Sequence, residues 1–262
     1  MTTLLMVMAS LLSSFGILGH RGHVPILVYH RICEAPSISP LAVPSAQFEQ
    51  QMAFLSSEGY HSISLEELVA MHRRGLRPAR RCFVLTFDDG YRDNYLIAFP
   101  ILRRFGFQAT IFLVSDWLLR NGHGMSAPIL QLEDITEMNG HGIAFGAHTR
   151  SHRSLTALSS REAEAEIRGC KEALESHLGQ SIKFFSYPYG HSDAHIRSMV
   201  KACGFEGACA VNNGSDDPFN LRRIEIRADD SLLDFRFKVC GWDGWALLAL
   251  KWLERRFPLR EA

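Results

Sequence analysis

Two carboxylates stand side by side at Asp88-Asp89, directly before Gly90, and two histidines stand four apart at His148 and His152. Adjacent carboxylates at the end of the apolar run Val84-Leu85-Thr86-Phe87 repel each other unless something positive sits beside them. A metal ion is one such partner. Asp-Gly alone is an ordinary turn signal, and an isolated H-x-x-x-H pair is more often two surface histidines. Taken together they carry more weight. One carboxylate and two imidazoles make three protein ligands and leave a coordination position for water or substrate, the pattern of a catalytic rather than a structural site. If the turn after His148 is helical, the two imidazoles lie one turn apart on a common face.

The elements that must position these groups follow from the hydrophobic pattern. Short apolar runs rich in β-formers at 24–30, 61–63, 82–87, 109–114, 143–147, 182–185, 207–211 and 222–226 predict eight strands. Between most of them lie amphipathic stretches. Ser64 with Glu67 and Ser159 with Glu162 form capping-box signatures, Ser45 can cap a helix over 45–58, and Gly75, Gly106 and Gly179 stand at helix ends. Strands presumed buried on both faces and alternating with helices predict a parallel sheet, here closed into a single irregular (β/α) barrel of 7–8 strands. In such a barrel the site lies at the carboxyl ends of the strands. Tyr29-His30, Asp88-Asp89, His148 and Tyr187-Pro188-Tyr189 all fall there.

Bulk properties bound the alternatives. A chain of 262 residues suits one barrel of about 250 residues. Lys+Arg and Asp+Glu both number 28, so the chain lacks the positive field a nucleic acid partner needs. Cys33, Cys82, Cys170, Cys203, Cys209 and Cys240 are scattered without a C-x-x-C pair, which argues against a disulfide framework. Residues 1–23 form an apolar segment with no basic residue before Arg21 and no small-x-small cleavage site, and its apolar run is short of the roughly 20 residues of a spanning helix. Anchor, signal-like segment and packed helix all remain open for it. These features favour a cytoplasmic or membrane-associated protein over a secreted one. The barrel is expected over 24–240 and an amphipathic helix over 241–262; peripheral membrane contact through either terminal segment is one expectation, packing against the barrel or a dimer contact the other.

Thr86-Phe87-Asp88-Asp89-Gly90, His148-Thr149-Arg150-Ser151-His152 and Tyr187-Pro188-Tyr189-Gly190 resemble, in order and spacing, the first three motifs of the polysaccharide deacetylases, the nodulation-type deacetylases of carbohydrate esterase family four. The resemblance spans roughly residues 24 to 227. It implies that Asp89, His148 and His152 hold a divalent metal, zinc foremost. It implies that Asp88 is the general base that deprotonates the attacking water, and that the Tyr189 amide, on the Pro188-Tyr189-Gly190 turn after Tyr187, helps hold the oxyanion. The implied substrate is an N-acetylated glycan, in exopolysaccharide or cell-envelope metabolism.

Two departures from the family pattern stand out. Ser186 occupies the place where many members carry a base-orienting Arg, and Arg92, just beyond the Asp-Asp-Gly turn, is a possible substitute, a plain surface arginine being the competing reading. The late Leu-x-His motif that supplies a general acid is also missing, since the corresponding strand reads Arg223-Ile224-Glu225-Ile226-Arg227. The early strand Val28-Tyr29-His30-Arg31-Ile32 instead looks like that of the biofilm poly-N-acetylglucosamine deacetylases, which implies His30 as the acid, with His191 as fallback. A core-edge histidine bonded to a backbone carbonyl is the structural alternative for His30. Trp117 is either a sugar-stacking platform or a loop anchor. Other functions compatible with the same residues are a C–N amidase on a small substrate and a carbohydrate-binding relative that has lost catalysis.

Overall fold

The computed structural model describes residues 24–34, 37–76, 81–125, 127–211 and 214–240. Along the chain the strands are β1 (Ile26–Tyr29), β2 (Arg31–Cys33), β3 (Ala42–Pro44), β4 (His61–Ser62), β5 (Cys82–Phe87), β6 (Ala109–Leu113), β7 (Ile143–Ala147), β8 (Phe184–Ser186), β9 (Gly207–Val211) and β10 (Leu221–Glu225). Seven of them close a ring of parallel pairs in the order β1-β10-β9-β8-β7-β6-β5, and β5 returns to β1. The predicted strand at 61–63 is only two residues long. It pairs with the start of β5 and stays outside the ring, so the barrel has seven strands. The short parallel pair β2-β3 has no clear signal in the hydrophobic pattern.

Alternation along the strands sorts side chains into two buried sets, as the two-residue period requires. Ile26, Val84, Phe112, Phe184, Cys209 and Leu221 gather inside the barrel. Their strand neighbours Leu27, Leu85, Ile111, Phe185 and Ala208 pack outward beneath helical residues such as Phe48, Met52, Leu102, Ile167 and Val200. The helix Leu65–Arg73 adds Leu65, Leu68 and Val69 to the inner set, together with Val24 and Cys82 from the strand starts, and so closes the amino-terminal end. Inside, a Cβ on Gly146 would lie 2.5 Å from the Phe112 ring, so β7 gives up a side chain to let Phe112 fill the axis.

Both capping boxes form, at Ser64/Glu67 and Ser159/Glu162, and the helix Ser160–Leu178 ends at left-handed Gly179. Ser45 is the first helical residue of Ser45–Ser57, after Pro44 in the cap position. Cys33, Cys82, Cys170, Cys203 and Cys209 are free thiols. The expectations for 1–23 and 241–262 lie outside the described residues. Among the described residues no helix is long and apolar enough to cross a membrane.

Candidate active site

Asp88 and Asp89 leave β5 in opposite directions because the backbone turns over between them. Asp89 (φ 77°) and Gly90 (φ 70°) are both left-handed. A Cβ on Gly90 would sit 2.7 Å from Leu113 Cδ2, so this turn needs glycine for conformation and for space. Asp89 faces the barrel mouth. Its Oδ1 lies 3.6 Å from His148 Nε2 and 3.3 Å from His152 Nε2. One ligand atom from each of the three residues lies within 4.8 Å of the others.

The donor chemistry fits a divalent cation. Asp89 Oδ1 is buried with no hydrogen-bond partner, and a buried carboxylate oxygen in that condition is costly unless a cation meets it. Burial and the adjacent Asp88 charge push Asp89 up to about 7, a sign of how much negative charge the mouth concentrates. His148 Nδ1 lies 2.8 Å from the Ser186 carbonyl, which can only accept, so Nδ1 carries the proton and Nε2 presents its lone pair to the site. Burial pushes His148 down to about 3, which keeps the ring neutral, and burial lowers His152 as well.

The histidine pair converges by a route other than the predicted helical turn. Residues 148–152 are irregular, with Thr149 (φ 65°) and His152 (φ 62°) left-handed. The His152 amide donates to Thr149 Oγ1 at 2.9 Å. Glu166, from the helix Ser160–Leu178, accepts from the Ser151 amide (2.9 Å) and the Ser151 hydroxyl (2.6 Å), while its carbonyl accepts from the Arg150 amide (3.2 Å). Left-handed non-glycine residues cost about 1–3 kcal/mol each and persist where surroundings over-determine them. Here a helix side chain does so.

Asp88 points into the barrel and meets Arg223 of β10. Arg223 Nη1 donates to Asp88 Oδ1 at 2.7 Å and Nη2 to Oδ2 at 2.6 Å. The remaining N–H groups reach Thr86 Oγ1 (3.2 Å), Ser186 Oγ (2.7 Å) and the Ala210 carbonyl (3.2 Å), so all five guanidinium donors are used. Its carbon also lies 5.4 Å from the Phe112 ring centroid. Burial would raise the Asp88 carboxyl, yet Arg223, with His148 beside it, holds it well below the usual carboxylate range.

This overturns Arg92 as the group orienting Asp88. Arg92 forks instead onto Asp134 (2.9 and 3.2 Å), tying the helix Leu132–Asn139 to the turn. The cation comes from across the barrel, and Ser186, too small to carry charge, supplies a hydroxyl that accepts from Arg223 and donates to Asp88 (3.2 Å). Arg223 is in phase with inward-facing Leu221, and a charge in that phase of a buried strand demands a partner. That was the available signal.

The other predicted residues divide. His30 follows β1 at the mouth with Nδ1 buried and unbonded, so a ring held by a backbone carbonyl at that atom is not what the structure has. Burial lowers His30, Asp88 acts to raise it and Arg223 to lower it. Tyr189 (φ 60°) is 62% exposed, with its ring 4.9 Å from that of His152. Trp117, on the helix Ser115–Leu119, lies 5.3 Å from His152 on its own ring-to-ring contact. Pro188 is buried at the start of its turn. Tyr187 turns away: its side chain is fully buried and its hydroxyl donates to the Phe219 carbonyl at 2.8 Å, so it faces the core rather than a substrate. His191 Nδ1 is 3.3 Å from Ser154 Oγ. The loop beyond Trp117 lies on the carboxylate turn, with the Leu130 amide donating to the Gly90 carbonyl and the Arg92 amide to that of Pro128.

Comparisons with known proteins bear on the family and the fold. Residues 75–208 match the polysaccharide deacetylase family model. YxkH of Bacillus subtilis (strain 168), a protein named for the same family, is 31% identical over 207 residues, covering 78% of this chain and 71% of that protein. The poly-beta-1,6-N-acetyl-D-glucosamine N-deacetylase of Staphylococcus aureus (strain MRSA252) is 25% identical over 247 residues, covering 84% and 82%. The Streptococcus pyogenes deacetylase PplD, solved in complex with acetate, superposes with a TM-score of 0.75 at 28% identity over 82% of this chain and 97% of that one. With its motifs on a seven-stranded barrel and relatives that include the biofilm branch, the chain belongs to the polysaccharide deacetylase family, hydrolases of carbon–nitrogen bonds other than peptide bonds.

Proposed function

We propose that this enzyme is a metal-dependent N-deacetylase that releases acetate from an N-acetylated polysaccharide or oligosaccharide of exopolysaccharide or cell-envelope metabolism. The observation that carries the reading is the unlike treatment of two neighbouring carboxylates. Asp88 is locked on Arg223, while Asp89 offers an unpartnered buried oxygen to two imidazoles. The name of the S. aureus relative and the acetate in PplD support the substrate class.

Asp89, His148 and His152 would hold the cation, zinc by donor type, which when bound supplies Lewis acidity to the carbonyl and eases ionisation of water. Asp88 takes the proton of the attacking water as its oxygen bonds to the acetamide carbon. Arg223 keeps that carboxylate ionised and aimed beforehand. The Tyr189 amide meets the developing oxyanion. His30 gives its proton to the sugar nitrogen as the C–N bond breaks, so amide and water leave as amine and acetate. Trp117 and Tyr189, flanking His152, offer apolar faces to a pyranose ring.

The test pairs metal analysis of the purified protein with acetate release from β-1,6-linked N-acetylglucosamine oligomers, chitin oligomers and peptidoglycan. Stoichiometric metal and acetate release that a chelator abolishes are expected. A protein that binds no metal and frees no acetate from any of the three would overturn the reading, and turnover confined to small amides would reassign it as a small-substrate amidase.

A further inference from the structure

His30 presents a positioning problem. Its Nδ1 is buried without a partner, and among the described residues no hydrogen bond aims the ring. Whatever directs it must act through the backbone. That backbone pairs with β3 from Arg31 on, and at His30 itself it is tied by side chains of one short segment, the one that follows the catalytic carboxylates.

Past Gly90 the chain does not enter a regular α-helix but a π-helical turn, Asn94–Ala98, before the helix Phe99–Phe105. Such widened turns concentrate at functional sites because they swing side chains out of the usual register. Asn94, 1% exposed, donates from Nδ2 to the His30 carbonyl at 2.9 Å and to Asp93 Oδ1 at 3.1 Å. Asp93 Oδ1 accepts from the Ile32 amide at 3.3 Å, and its Oδ2 from Arg31 Nε at 2.8 Å. Arg31 in turn lies over the Tyr91 ring, 5.3 Å from its centroid. On the other side of His30, the Asp88 amide donates to the Tyr29 carbonyl at 3.0 Å.

We infer that Asn94 and Asp93 are positioning residues for His30: they clamp residues 30–32 to the turn bearing Asp88 and Asp89, so that proton donor and proton acceptor are set by one rigid unit. The inference rests on His30 being the general acid. It makes the π-helical turn part of the catalytic geometry, although neither Asp93 nor Asn94 touches the reacting atoms.

The two ideas separate on leaving group. An amine must be protonated as it departs, whereas an aryl oxide departs without help, so a misplaced acid harms amide turnover far more than ester turnover. Asn94→Ala, Asp93→Ala and His30→Ala are each assayed, as metal-loaded full chains, on a β-1,6-linked N-acetylglucosamine oligomer and on 4-nitrophenyl acetate. For His30→Ala the amide-to-ester ratio is expected to fall about 10²–10⁴-fold, the usual worth of a general acid, and for each clamp variant about 10-fold. Ester turnover and metal content verify that the site is folded, and Asp93→Ala carries the test if Asn94→Ala does not fold. A selective loss in His30→Ala with an unchanged ratio in both clamp variants overturns the inference and leaves the acid in place. An unchanged ratio in His30→Ala, or no amide turnover by the unaltered enzyme, removes the acid and the clamp together.

Discussion

Replacing Arg223 by methionine keeps a long side chain against Phe112 and deletes the guanidinium that meets Asp88. Asp88 is 2% exposed, so its charge would be stranded with one hydroxyl donor, that of Ser186. Removing one partner of a buried ion pair costs about 3–5 kcal/mol. Set against a total stability of about 5–15 kcal/mol, that is a large share. For a domain of this size each kcal/mol moves Tm by about 2–4 °C, so a fall of roughly 6–20 °C is expected. The measurement is calorimetric melting in the presence of chelator, because a bound cation would partly replace the missing charge. Arg223→Met/Asp88→Asn removes both charges and should recover at least half of the loss. The pH dependence has a definite sign. Burial acts upward on Asp88, but Arg223 holds the folded carboxyl below its ordinary 3.8. The pair therefore stabilises the native state above 3.8, and this is lost as pH falls through the lowered folded value. In Arg223→Met the chief opponent of burial is gone, the carboxyl takes up its proton at a higher pH than in the parent, and the two proteins converge in Tm on acidification. A single variant melting within about 2 °C of the parent, or a double variant no more stable than the single, would refute the assignment.

Two further outcomes follow from the site. Glu166→Ala frees the Ser151 amide and hydroxyl that hold the His148–His152 loop, and metal affinity should drop about 10–100-fold in chelator competition, with Glu166→Gln intermediate; unchanged affinity would show that the loop holds itself. As the proposed acid His30 would work in its protonated form, and burial lowers its pKa from 6.5, so that form is present below the lowered value and lost as pH rises through it. The kcat/KM profile on an amide should thus decline on its alkaline side, and His30→Gln should flatten that limb while lowering the plateau about 10²-fold. A limb that survives in the variant would point to another donor.

The parts of this molecule that were legible in its sequence are those written locally. Short apolar strands between capped helices sufficed for the barrel, and Asp89, His148 and His152 announce themselves by residue type and by standing at strand ends. Arg223 was not legible because its partner Asp88 is 135 residues away, and the pairing exists only once β10 lies across from β5. Sequence proximity pointed to Arg92 instead, whose neighbour in space is Asp134. The four-residue spacing of the histidines fits a helical turn as well as it fits a loop, and only the left-handed backbone at Thr149 and His152 tells them apart. Tyr187 misled for a simpler reason: successive side chains in extended chain point opposite ways, and one residue decides between mouth and core.

The ring closes where β1 slots between β5 and β10, pairing Ile26 with Val84 on one side and Leu27 with Ile224 on the other. On a ribosome adding about 5–20 residues per second, β1 waits tens of seconds for its second neighbour. Throughout that interval the sheet is unclosed, with β1 at one edge and the newest strand at the other, and Asp88 has emerged without its guanidinium. Both vacancies are filled by the same strand in the same event. Ring closure is thus the step at which the nascent chain loses its exposed edges and Asp88 acquires its guanidinium. An arrest of synthesis before β10 should leave a sticky, inactive open sheet, a chaperone client rather than a slow enzyme.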